Sequence, residues 1–257
     1  MPRTLGHKFK PDRFQDTYDF WTRQQGVLYP GRAEARKKQN VKLFWGIFEN
    51  GLKLFRIGYL LDEPFPSLIK KAREALPELI PAMELGYAFE PDKIQDALCL
   101  ALTVRLPKMI DWLADLPRDA YTDPSVEVSG IAFLITEAIQ AGAKGNRKAF
   151  DAAVKKLRPA MAPKKLLVSP RQETAIYAPI VDLLEAVSAG DPAQFEKAWK
   201  AKGDAWKKTY SRASEAGNFD GILDITALGI ARIAEGFGMK IPATHPYAPL
   251  DILGAAK

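Results

Sequence analysis

Apolar residues along this chain recur at three- and four-residue steps, the spacing of one face of an α-helix, and nowhere alternate over a strand length. The pattern is broadest in DGILDITALGIARIAEGFGMKIPATHPYAPLDIL, residues 220–253, where Ile222, Leu223, Ile225, Thr226, Leu228, Gly229, Arg232, Ile233 and Phe237 share a wide face. Asp220 stands where an N-cap is expected and Gly236 and Gly238 where a helix stops, while Pro242, Pro246 and Pro249 keep the tail from continuing it. The spacing predicts a core helix here. At the other end, Asp12 is expected to cap a helix carrying Phe14, Tyr18 and Trp21 that ends before Gly26 and the Tyr29-Pro30-Gly31 turn. The longest pattern follows, from Arg32 to Leu61, with Phe44, Phe48, Leu52, Phe55 and Tyr59 inward and Gly46, Gly51 and Gly58 as points of close helix packing.

Prolines punctuate the next stretch. A helix is predicted from Pro66 and Ser67, a break at Pro77 and Pro81, a helix from Glu90-Pro91-Asp92 to Leu106, and a short one over Pro107–Leu116. The loop LPRDAYTDPS follows. We read residues 1–257 as one all-α domain, with possible subdomains 1–116 and 125–257 joined by the loop 117–124. Beyond it the chain repeats itself weakly. Glu137–Gly142, a turn and Phe150–Ala153 are matched by Glu185–Gly190, a turn and Phe195–Ala198, each an αα-hairpin signature. Ser169-Pro170-Arg171-Gln172 and Asp191-Pro192-Ala193-Gln194 both place a capping side chain before a proline at the first helical position. Pro179 is expected to kink the helix opened by Ser169. In the helix opened by Asp191, Phe195, Ala198, Trp199, Lys202, Trp206 and Tyr210 share one face. The predicted fold is an all-α globular array of antiparallel αα-hairpins, weakly repeat-like.

Composition narrows the class. With 257 residues the chain can bury roughly three quarters of its unfolded surface without disulfides or metal. The lone Cys99, within LCLALTV, reads as a small core residue and fits a reducing compartment. There is no apolar signal-like run in the first twenty residues and none near the roughly 20 residues that span a bilayer, so a soluble cytoplasmic protein is expected, with no membrane partner. Thirty-seven Lys and Arg against 31 Asp and Glu give +6. The basic pairs are scattered and read as solvated faces, so nucleic acid is not an expected partner.

Candidate chemistry is thin. His7 and His245 are the only histidines, and neither His-x-x-x-His nor Cys-x-x-Cys spacing occurs, so no metal or cofactor is expected. Ala141-Gly142-Ala143-Lys144-Gly145-Asn146-Arg147-Lys148 departs from P-loop spacing and follows no predicted strand. Ser129-Gly130 lacks the flanking glycine of a nucleophile elbow. Asp111 with Asp115, and Asp220 with Asp224, lie four apart and could share a proton or a cation, although capping by Asp220 and a hydrogen bond from Asp224 to nearby backbone or a Tyr compete with that use. His245 reads as a loop residue. No catalytic residue is assigned, and the enzyme class would need a pocket gathering Asp111, Asp115 or His245.

The unit at Glu185–Ala198 together with DITALGIARIAEGFGMKIPATHPYAPLDIL resembles the immunity protein 49 family of bacterial polymorphic-toxin systems. The matching positions are Asp224, Ala227, Leu228, Ala231, Gly238, Tyr247, Pro249 and Ile252-Leu253, in roughly the last third of the chain. The resemblance implies an all-α, non-catalytic protein that binds a cognate protein toxin and occludes its active surface. Asp224 and Tyr247 are expected to tie the tail onto the last helix, and no toxin-contacting residue is assigned. A helical-repeat adaptor that cradles a peptide is the alternative reading, although two repeats are fewer than such stacks usually need.

Overall fold

The computed structural model describes residues 11–87, 89–122, 129–161, 176–212, 215, 218–241 and 245–256. Helices α1 (Pro11–Leu28), α2 (Arg32–Lys37), α3 (Val41–Leu60), α4 (Phe65–Ala75), α5 (Leu79–Glu84), α6 (Pro91–Thr103) and α7 (Pro107–Asp115) come first. They are followed by α8 (Gly130–Ala143), α9 (Arg147–Ala160), α10 (Ala178–Ala189), α11 (Pro192–Tyr210), α12 (Ile225–Gly236) and α13 (Asp251–Ala255). No β-strand occurs among the described residues, where a lone bridge pairs His245 with Ala248. The fold is all-α.

Sequence-adjacent helices pair as hairpins, α3 with α4, α8 with α9 and α10 with α11, and α6 lies against α12 across the core. One connected cluster of buried apolar side chains runs from Phe14 to Ala256 and includes the Phe44, Phe48, Leu52, Phe55 and Tyr59 stripe of α3. Close approach at Gly51 is required, because a Cβ there would overlap the Cβ of Ala75 on α4. Gly46 meets no such contact, its nearest neighbour being Leu28 at 3.8 Å.

Three boundaries differ from those read in the sequence. Helix α1 continues through Gly26 to Leu28, because Pro30, whose ring cannot follow a fourth helical carbonyl, sets the stop. The Arg32–Leu61 pattern is two helices broken at Lys38–Asn40, with Gln39 at φ 51°. Only Ala35 of the first nine residues is buried, so no apolar stripe holds that part in line with α3. Asp220 does not cap the core helix. It sits in a 3-10 turn over Phe219–Ile222, Leu223 is extended, and Asp224 caps α12 instead. The Pro77 break is present as a 3-10 turn over Leu76–Glu78 ahead of α5. Pro179 lies at the second position of α10, directly after a π-helical turn at Ile176 and Tyr177 (Tyr177 φ -79°, ψ -43°), so the helix is distorted next to it. Ser169–Gln172, His7 and the side chain of Asp12 lie outside the described residues. Of the expected 117–124 loop, Arg118–Tyr121 form a 3-10 turn with Tyr121 buried.

Candidate functional site

Helix α11 is covered on one side only. The Asp191 carboxylate accepts from the N–H groups of Ala193 (2.9 Å) and Gln194 (3.1 Å), and Pro192 follows where no N–H is needed. Phe195, Ala198, Trp199 and Lys202 form the buried face. A charged residue on an apolar stripe is costly unless paired, and Lys202 Nζ meets Asp224 Oδ2 at 2.5 Å with side-chain exposures of 1% and 0%. The other Asp224 oxygen accepts from Ala227 N–H at 3.0 Å and caps α12. One carboxylate therefore fixes α11 to the start of α12. Trp206 adds a hydrogen bond from Nε1 to the Gly221 carbonyl at 3.0 Å.

The uncovered side of α11 presents Gln194, Glu196, Lys197, Lys200, Ala201, Asp204, Lys207 and Lys208, with a cleft on each flank. The first, about 270 Å³, lies among α9, α10 and α11 and is lined by Arg158, Asp182, Glu185, Gln194, Lys197 and Ala201. Arg158 donates to both Glu185 (Nε, 3.0 Å) and Asp182 (Nη2, 2.6 Å), and these bonds, that to Glu185 foremost, hold its pKa above the ordinary guanidinium value. The second, about 220 Å³, is lined by Lys200, Gly203, Asp204, Lys207, His245, Pro246 and Tyr247. There His245 packs on Trp199 with ring centroids 5.0 Å apart, and its Nδ1 accepts from the N–H groups of Tyr247 and Ala248, both at 3.2 Å. Burial holds His245 below the ordinary imidazole pKa, with Asp224 opposing and Lys202 reinforcing that shift. With Nδ1 occupied in this way the imidazole is not available there as a base.

A family model described as Immunity protein 49 matches residues 53–252. The chain belongs to the Immunity protein 49 family. No curated protein and no solved structure matches it. The match begins within α3 and ends within α13, so it takes in most of the chain and not the last third alone. Within the Immunity protein 49 region, the residues that carried the resemblance lie in α12, which packs on α6, α10 and α8, and in the tail that follows it. Ala227, Leu228 and Ala231 are buried in α12, and Gly238 (φ 79°) follows its end. The tail is held through its carbonyls: Tyr247 O by Asp224 N–H (2.8 Å), Pro246 O by Tyr59 Oη (2.8 Å) and Leu253 O by Arg232 Nη2 (2.5 Å). Asp224 thus ties the tail through its main chain, leaving its carboxylate for Lys202 and the helix cap.

The other residues singled out in the sequence are dispersed. Asp111 and Asp115 are both exposed, and Asp115 pairs with Lys144 at 2.5 Å. Asp220 and Asp224 share nothing, since Asp220 meets Arg56 Nη1 at 2.6 Å while Arg56 Nη2 reaches Asp96 at 3.5 Å. Ser129 is buried at the start of α8. In Ala141–Lys148 the N–H groups of Lys144, Gly145 and Asn146 return to the carbonyls of α8 and do not open outward as a phosphate cradle would. Cys99 is fully buried, and burial pushes its thiol pKa well up. Among the described residues no group of three or more His, Cys, Asp and Glu is placed to hold a metal, and no helix is long and apolar enough to cross a membrane. The buried Lys202–Asp224 pair, and the pair that the buried Arg56 makes with the half-exposed Asp220, were not read from the sequence. Their signal was present: both cations fall inside apolar stripes, where only a paired charge is tolerated.

Proposed function

We propose that this protein is a non-catalytic immunity protein that binds one cognate toxin in the cytoplasm of its bacterial producer and covers the toxin's active surface. The observation that carries this reading is the Immunity protein 49 match over residues 53–252. Its physical means is a stiff helical body. Cross-braced helices change little on docking, and a contact of standard size, roughly 1,600 Å² in total, suffices to fill or cap a catalytic cleft. The test is co-expression with a candidate toxin domain drawn from the genes that neighbour the one encoding this chain. Cells survive toxin induction only when this protein is present; death in both cultures rejects the pairing.

A further inference from the structure

Charge in this molecule is distributed unevenly. Helices α9 and α11 together hold ten Lys and Arg against three Asp and Glu, a net +7, in a chain whose total is +6. Two helices thus carry the whole excess, and the remainder is close to neutral. Both pack against α10; Lys202 is buried beneath α11 against Asp224, Arg158 and Lys197 line the first cleft, and Lys200 and Lys207 line the second. Lys148, Lys155 and Lys156 on α9 and Lys197, Lys200, Lys207 and Lys208 on α11 are all exposed. The intervening floor is of opposite sign, Asp182 and Glu185 against the single Arg158.

We propose that the toxin docks across α9, α10 and α11, and that the surface it brings is an acidic protein surface carrying a lone cation opposite the α10 floor. The assignment rests on the immunity reading above. Three features support it. The lysines are placed to attract carboxylates before contact, which raises encounter rates. Helix α11 stands between two clefts, and the small residues Ala201 in the first and Gly203 in the second leave both flanks low, so a partner's loops can straddle it. The helix is also braced from beneath by the Lys202–Asp224 pair, so little order must be gained on binding. A nucleic acid fits the same helices less well, because a uniform phosphate backbone has nothing to offer Asp182 and Glu185 and is repelled by Glu196 and Asp204.

The experiment uses the full chain and the toxin domain against which it protects cells in the co-expression test. Hydrogen exchange of the unmodified complex is expected to show new protection in residues 147–160 and 192–210. Reversal of Lys155, Lys156, Lys197 and Lys200 to Glu is expected to slow association by about 10-fold or more, whereas reversal of the exposed Lys37, Lys38, Lys70 and Lys108 changes it by less than about 2-fold. The same four sites changed to Gln, which keep an uncharged chain of similar length, should give an intermediate rate. A complex that forms but protects other helices, with association indifferent to the four reversals, overturns this assignment and leaves the immunity reading standing. No complex at all overturns both. Tighter binding of a DNA duplex than of the toxin, lost in the four-Glu variant, overturns the acidic-protein partner.

Discussion

Removing one partner of the Lys202–Asp224 pair strands the other in the core. Asp224→Ala leaves a buried ammonium and uncaps α12, and is expected to cost about 3–5 kcal/mol, read as a lower urea midpoint. Asp224→Asn keeps an acceptor for Ala227 N–H, and joined with Lys202→Met it should recover most of that loss, since a packed apolar pair can replace a buried ionic one. A midpoint unmoved by Asp224→Ala would show that the pair is not what holds α11 down. His245 gives a pH signature at the same scale. Protonation would turn its Nδ1 from an acceptor of two N–H groups into a donor facing them, next to the Lys202 ammonium. Because its folded pKa lies below the unfolded value, the unfolded chain takes the proton first. The stability this confers is complete above about pH 6.5 and is lost as pH falls towards the folded pKa. Urea midpoints compared between neutral and mildly acidic buffer should therefore fall for the native chain and fall less for His245→Gln.

Helices and their pairing were legible wherever a stripe, a cap and a proline agreed. Asp191-Pro192 opens α11, and Phe195, Ala198 and Trp199 mark its inner face, as the spacing predicts. The reading failed where a boundary depends on a distant residue. Asp220 has the composition of a cap, but Arg56, more than 160 positions away, engages it in the native fold, and the cap passes to Asp224. Glycines show the same division. Gly229 is on a surface that only the fold defines, with a would-be Cβ 2.5 Å from the Cys99 Cβ and Sγ on α6 and 2.6 Å from its Cα. On a free helix Gly→Ala gains about 1 kcal/mol. Here Gly229→Ala should instead lose about 1–3 kcal/mol, because a main-chain atom cannot rotate away and α6 and α12 must part. Cys99→Gly on that background should restore part of the loss. A stabilised Gly229→Ala protein, by thermal melting, would refute the packing read at this crossing.

For the molecule as a whole, net charge was legible and its placement was not, because +6 spread over 257 residues reads as a mildly basic surface until the hairpins are folded. Folding sets α9 and α11 beside the same acidic floor and converts scattered lysine pairs into one field. A field of that kind acts before contact and is screened by salt over the Debye length, which shrinks from about 30 Å at about 0.01 M to about 3 Å at about 1 M. Buried apolar contacts and paired charges in the finished complex are screened far less. Association with the cognate toxin should therefore slow by about 10-fold or more across that range while dissociation changes little, by stopped-flow mixing. An association rate flat in salt would mean that the lysines of α9 and α11 do not steer the encounter, and that recognition begins only when the surfaces touch.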